Sequence, residues 1–159
     1  SIFFRKYGDD YFKDRTDYYS PINYRLIRYA DVLLCYAECL AELDDHVAAI
    51  PYVNMVRQRS STNLPPLASS SDSEISASVN SKEAFLKRLQ MERALELSLE
   101  SVRWIDLRRW GLLETQDGID ELITRDPDFE NFEIGKHHIL PLPQFEVDNN
   151  PNLDQNPNY

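Results

Sequence analysis

The sequence predicts a mainly α-helical fold: a helical hairpin, further helices, long irregular loops and an extended C-terminal tail. Three observations predict it. Apolar residues recur at helical spacing in three segments. Capping and turn residues, Asp44-Asp45, Ser81 and Gly111, stand at the ends of those segments. Ser-, Pro- and Asn-rich stretches separate and follow them. The 159 residues allow one domain of ordinary size, with a core that needs neither disulfides nor metal.

Residues 1–25 are aromatic and charged, with a short strand expected at Ile2–Tyr7. A first helix is expected over residues 24–43. Leu26, Ala30, Leu33, Ala37 and Leu40 form its stripe. Ile27, Tyr29, Val32, Leu34 and Tyr36 widen the stripe, so the helix should be buried on most sides. Asp44 and Asp45 supply a turn and an N-cap for a second helix, which runs to about Arg59 on Ile50, Val53 and Val56. Pro51 implies a late start or a kink there. Two helices joined by so short a turn pack antiparallel, giving a hairpin over 24–60. Residues 60–81 hold nine serines and Pro65-Pro66, the composition of a mobile loop. A long helical region over 82–111 starts at Ser81 as N-cap, with Glu83 in its first turn, and runs to Val102 or as far as Trp110. Gly111 suits the position just past a helix end. Residues 112–159 read as irregular and extended, apart from a short helix over 118–125. Pro141, Pro143, Pro151 and Pro157 interrupt them.

Charge excludes several function classes. The net charge of −10 removes the basic face that nucleic-acid binding needs. It also removes electrostatic docking on an anionic membrane. Only four glycines are present, and none fall in a phosphate-cradling motif. No apolar run is long enough to span a bilayer. Cys35 and Cys39, one helical turn apart, read as small buried hydrophobes rather than a disulfide.

The densest chemistry lies in Glu92, Glu96, Glu100, Arg103, Asp106 and Arg109. The three glutamates repeat at i, i+4 and i+8 on one helix face, with Arg88 and Arg103 in reach. One reading takes two of these carboxylates as the acid and nucleophile of a glycoside hydrolase. The other, preferred because paired buried charges are more often structural, is an ion-pair network with Arg103, Asp106 and Arg109 buried against the glutamates. No catalytic residue is assigned. His137 and His138 are adjacent and His46 stands alone, so no metal ligand set and no cofactor is expected. Serines 60–81 lack a nucleophile elbow. Trp104 and Trp110 suit a core better than a sugar platform. Tyr7, Tyr11, Tyr18 and Tyr19 are better candidates for a contact surface, although packing over the helices is the preferred reading for them too.

Three ordered segments carry a family resemblance. The first is Arg28-Tyr29-Ala30-Asp31-Val32-Leu33-Leu34-Cys35-Tyr36-Ala37-Glu38, followed by Asn54-Met55-Val56-Arg57-Gln58-Arg59. The second runs from Glu92-Arg93-Ala94-Leu95-Glu96-Leu97 to Arg103-Trp104-Ile105-Asp106-Leu107-Arg108-Arg109-Trp110-Gly111. The third is Ile139-Leu140-Pro141-Leu142-Pro143-Gln144, then Asn150-Pro151-Asn152-Leu153 and Gln155-Asn156-Pro157-Asn158-Tyr159. Together, over residues 24–159, they resemble the C-terminal part of SusD/RagB proteins, the nutrient-binding outer-membrane lipoproteins of Bacteroidetes. The resemblance departs at Ser101, where the family usually has Gly.

The resemblance implies that the hairpin is tetratricopeptide-like. It also implies a binding protein rather than an enzyme, which caps a TonB-dependent outer-membrane transporter and presents an oligosaccharide or peptide to it. The complete protein would be lipid-anchored at the cell surface, with this chain as its C-terminal fragment. Sugar contacts in the family lie largely upstream, so no ligand residue is carried over. The alternatives are a tetratricopeptide-like scaffold for protein partners and, below it, the glycoside hydrolase.

Overall fold

The computed structural model describes Lys6, Tyr7 and residues 22–159. Those residues are helical, and no strand occurs among them. The strand expected at Ile2–Tyr7, like Tyr11, Tyr18 and Tyr19, lies outside the described residues except for Lys6 and Tyr7, which form a turn. The chain divides into two compact units, Ser1–Ser101 and Val102–Tyr159.

In the first unit, helix α1 (Tyr29–Glu42) and helix α2 (His46–Arg57) form the expected hairpin. The turn between them follows from local chemistry. Asp44 takes a left-handed φ of 65°. The amides of Asp44 and Asp45 close on Ala41 and Leu40, the double hydrogen bond that ends a helix cleanly. The Asp45 carboxylate then caps α2 by accepting from the Ala48 amide at 3.1 Å. Helix α2 starts at once and passes through Pro51. The carbonyl that Pro51 leaves without a donor belongs to Val47, an exposed residue, so water can satisfy it.

Helix α4 (Lys82–Glu96) completes this unit, with Ser81 as N-cap accepting from Ala84. The core joins Leu34, Ala37 and Ala41 of α1 to Ala49 and Val53 of α2, and to Phe85 and Leu89 of α4. Three alanines at the hairpin seam let the two helices approach closely. The first helix is less buried than its stripe suggested. It begins five residues later than expected, and Tyr29, Val32 and Tyr36 face solvent. Cys35 and Cys39 are free and exposed, not buried hydrophobes.

The serine-rich segment is more ordered than its composition implied. It carries a 3-10 turn at Leu67–Ser69, the short helix α3 (Ser73–Ala77) and a second 3-10 turn at Ser78–Asn80. Leu67 anchors it. Its side chain is fully buried in the unit's core, and its amide donates to Asn54 Oδ1 at 2.9 Å. Asp72 caps α3 through the Glu74 and Ile75 amides. Serine and aspartate here serve as helix caps, which a purely compositional reading takes for disorder.

Helix α4 stops at Glu96, well before Val102. The backbone then turns left-handed twice, at Leu99 (φ 64°) and Ser101 (φ 61°). Ser101 therefore occupies a conformation that costs a side-chain-bearing residue about 1–2 kcal/mol.

The second unit holds helix α5 (Arg103–Arg109), helix α6 (Gln116–Ile123), a 3-10 turn at Pro127–Asn131 and helix α7 (Gln144–Asn149). Gly111, at φ 68°, ends α5. The Gly111 and Leu112 amides close on Arg108 and Leu107, and Leu112 packs against the core that Leu107 joins. Gly118 is required on α6: a Cβ there would lie 2.3 Å from the Leu112 carbonyl oxygen. Helix α7 fits between Pro143, its N-cap, and the break at Pro151.

The tail is not loose. Pro141 and Pro143 leave Leu142 as the one amide donor between them. The Gln155 carboxamide takes both of its backbone groups, accepting from the Leu142 amide at 2.7 Å and donating to its carbonyl at 2.9 Å. Asn156 donates to the Leu140 carbonyl, and the Tyr159 hydroxyl to that of Ile139. The terminal Gln-Asn-Pro-Asn-Tyr motif thus straps a proline-rich segment that cannot pair as a regular strand.

The left-handed Ser101 yields a direct test. Ser101→Gly is expected to raise stability by about 0.5–1 kcal/mol, the relief of backbone strain less the extra chain entropy of glycine. Urea denaturation of the two proteins measures it, and a destabilised glycine variant refutes the strain.

Candidate functional site

The expected charged constellation falls into both units. Glu92, Glu96 and Glu100 lie in the first, and Arg103, Asp106 and Arg109 in the second. The structure gives each glutamate cations from the hairpin and its approaches. Glu92, one of the few buried charges, meets Arg57, itself 3% exposed, and Arg88 one turn back on α4. Glu96 accepts from Arg28 at 2.9 Å and pairs with Arg59. Glu100 accepts from Arg28 at 2.8 Å and pairs with Lys6.

The end of α4 explains the clustering. A helix C-terminus leaves carbonyls without donors and carries partial negative charge. Here two buried carboxylates add to that charge. Lys6 Nζ donates to the carbonyls of Glu96 (2.8 Å) and Ser98 (3.0 Å) as well as to Glu100. Arg28 Nη2 donates to the Glu96 carbonyl at 3.1 Å, and the Tyr24 hydroxyl to that of Glu100 at 3.2 Å. Arg28 is the N-cap residue of α1, but its side chain makes no cap bond there. Its guanidinium is committed to α4 instead. A further pair, Arg93 to Asp31 at 2.9 Å, ties α4 to α1.

Electrostatics follow from this geometry. Burial pushes the Glu100 carboxyl up, but hydrogen bonds from Arg28 and Lys6 outweigh it and hold the group below its ordinary value. The bond to Glu100 in turn raises Arg28. A general acid of a glycosidase needs the opposite shift. Beside these pairs lies a cavity of about 220 Å³, lined by Lys6, Arg57, Arg59, Glu92, Glu96 and Leu95. Every charged group on its wall already has an ionic partner. Burial pushes the Cys35 thiol up, more than the neighbouring Arg93 guanidinium pulls it down, which leaves it a poor nucleophile.

In the second unit, Asp106 is buried and accepts from Arg109 Nε at 2.8 Å. The Arg109 guanidinium lies 4.7 Å from the centre of the Trp110 ring. Arg103 is half-buried, and burial together with the nearby Arg125 lowers its pKa. Trp104, expected in the core, is 41% exposed and leans on Phe132 at 6.2 Å between ring centres. Among the described residues no cluster of three or more His, Cys, Asp or Glu side chains could hold a metal ion.

The SusD family model matches residues 1–159, the whole chain. The chain belongs to the SusD family. Curated relatives include the SusD-like protein P2 of Formosa agariphila, 35% identical over 143 residues, which cover 88% of this chain and 26% of the relative. The SusD-like protein P38 of the same organism is 31% identical over 142 residues, 86% of this chain and 25% of that protein. A solved SusD superfamily protein from Bacteroides vulgatus superposes with a TM-score of 0.66 at 33% identity, over 87% of this chain and 28% of its own. A SusD homolog from Bacteroides thetaiotaomicron gives 0.62 at 32% identity, over 88% of this chain and 28% of its own. This SusD-family chain therefore spans about a quarter of the length of the relatives it matches.

Sequence reasoning found the three carboxylates but not their main cations. Arg28, Arg57 and Arg59 stand 35–72 residues away from the glutamates they bind, beyond any helical spacing rule. Their presence in the first resembling segment was the one available signal.

Two outcomes test the clamp. Arg57→Ala leaves Glu92 with Arg88 as its remaining cation and is expected to cost about 1.5–3 kcal/mol, the worth of a hydrogen bond to a charged group. Chemical denaturation measures it, and a loss near zero means the pair is solvated. The second is acid sensitivity. Because the folded-state pKa of Glu100 is depressed, its contribution is present above the ordinary glutamate range and is lost as pH falls through the lower folded value. The Arg28→Met variant should show a shallower loss of stability over that acidic window. Parallel pH profiles for the variant and the parent would remove Glu100 as the cause.

Proposed function

We propose that this chain is part of a nutrient-binding protein of an outer-membrane uptake system. The nutrient is a glycan, and the complete protein hands it to a TonB-dependent transporter from a lipid-anchored position on the cell surface. The observation that carries the reading is membership of the SusD family over the whole chain, joined to the helical fold of two solved relatives. Among the described residues, no helix is long and apolar enough to cross a membrane.

Within that protein we read the ion pairs of Glu92, Glu96 and Glu100, and the Arg103, Asp106 and Arg109 group, as structural. The depressed Glu100 and the doubly paired Glu92 and Glu96 support a scaffold over a catalytic pair. Binding, and not turnover, is the proposed activity. A scaffold for protein partners is the second reading, favoured by the exposed stripe of Tyr29, Val32 and Tyr36 on α1.

Calorimetry of the complete protein against oligosaccharides and peptides separates the two. The first reading expects saturable heat with at least one oligosaccharide. Silence across both ligand classes would sink it and leave the scaffold.

A further inference from the structure

The second unit holds a small cavity that the ion-pair clamp does not use. Its volume is about 230 Å³, and its walls are Asp126, Asp128, Phe129, Asn131, Phe132 and His137. The 3-10 turn at Pro127–Asn131 carries three of these six residues, and Asp126 and Phe132 flank it directly. Phe129 and Phe132, 6.0 Å apart between ring centres, make an aromatic floor, and His137 meets Phe132 edge-on at 5.7 Å. Both phenylalanines pack against the core of α5 and α6, which holds the floor in place.

The polar rim is chemically open. The Glu133 amide donates to His137 Nδ1 at 2.9 Å. That nitrogen is therefore an acceptor, and Nε2 lies 4.0 Å from the Glu133 carboxylate. Asp126 uses one carboxylate oxygen to accept from the Asp128 amide. Asp128 engages its neighbours through its backbone amide and carbonyl, and its carboxylate has no partner among the described residues. Asn131 gives one amide hydrogen to the Asp128 carbonyl at 3.4 Å and keeps its oxygen. An apolar floor thus carries carboxylate acceptors and one carboxamide, with the His137 ring at its edge.

We propose that this cavity binds a single neutral pyranose ring. The ligand chemistry follows from the wall. One face of a pyranose is a patch of C–H groups that stacks on an aromatic face. Its edge is a row of hydroxyls, each both donor and acceptor, which matches a rim of mixed carboxylate, carboxamide and imidazole groups. The volume falls below the roughly 300–1,000 Å³ of drug-sized sites, so one ring fits and a longer chain continues into solvent. Two carboxylates on the rim repel a uronate or a sulfated sugar. The proposal rests on the nutrient-binding reading for its place in uptake, as an accessory subsite, and stands on the cavity's own chemistry for its ligand.

The test uses the complete protein and three probes, methyl glucoside, methyl galactoside and methyl glucuronide, followed by NMR of the His137 imidazole and the Phe129 ring. At least one neutral glycoside is expected to shift both sets of resonances with millimolar affinity, and the glucuronide to bind about tenfold more weakly or not at all. Phe129→Ala should weaken binding about tenfold or more. Asp128→Ala should do so by about tenfold; because the Asp128 side chain is unbonded, this variant stays folded even if Phe129→Ala does not. Asp128→Asn should narrow the gap between glucoside and glucuronide. Unmoved His137 and Phe129 resonances with both neutral glycosides, or affinities indifferent to Asp128→Ala, overturn the site. Oligosaccharide heats that persist in Asp128→Ala, with those resonances silent, defeat the subsite and leave the nutrient-binding reading standing.

Discussion

The first unit depends on one constraint: three carboxylates, Glu92 and Glu96 on α4 and Glu100 just past its end, are taken out of water and must be matched. Burying a charge without a partner costs several kcal/mol. The requirement fixes much else. It brings the Arg28 guanidinium, at the start of α1, across to Glu96 and Glu100. It holds Arg57, at the end of α2, under the hairpin against Glu92. It brings Lys6, from far upstream, onto the open carbonyls that α4 leaves behind. Hydrophobic burial of Leu34, Val53, Phe85 and Leu89 supplies the main driving force for packing these helices. It has no direction, however, and the charge matching adds a preferred register for α1, α2 and α4.

The same constraint accounts for the unexpected end of α4. A helix continuing to Val102 would keep the carbonyls of Glu96 and Ser98 inside its own ladder. Ending it early, with Leu99 and Ser101 left-handed, turns those carbonyls out to Lys6 and Arg28, and the Glu100 carbonyl to the Tyr24 hydroxyl. The strain at Ser101 is then the cost of placing Glu100 beside two cations. A glycine at this position would fit the same backbone without strain.

Local patterns were legible in the sequence wherever the physics is local. The hairpin, its Asp45 cap, the Ser81 cap and the Gly111 stop all depend on neighbours within a turn or two; the two caps stand where expected, while the hairpin's first helix starts five residues late and Gly111 ends a separate helix, α5. What failed was long-range or contextual. The buried Leu67 and its bond to Asn54 order a segment whose serine content alone reads as mobile. The exposed Tyr29, Val32 and Tyr36 look like core residues by spacing, because periodicity marks an apolar face without saying what covers it. The glutamates of the candidate site were visible as a row, while the identity of their partners is a property of the tertiary fold. The Gln-Asn-Pro-Asn-Tyr terminus was visible as a motif, and its role as a backbone strap became clear only once Leu142 lay between two prolines.

The two units also divide the polar chemistry in a way that bears on function. In the first, the carboxylates around the clamp are saturated by guanidinium and ammonium groups, and a ligand entering that cavity would have to break an ion pair to gain a hydrogen bond. Such an exchange gains little, since the displaced charge stays desolvated. In the second, the turn at Pro127–Asn131 leaves the Asp128 carboxylate, one Asp126 oxygen and the Asn131 carboxamide oxygen without a partner among the described residues, over rings that are already packed. Exchanging loosely held water for hydroxyl groups of similar chemistry costs little, and stacking on the rings then adds a net gain. A scaffold and a recognition surface thus differ here in a checkable property. Polar groups that have spent their hydrogen bonds hold the fold, and those that have not are where the proposed sugar ring would bind.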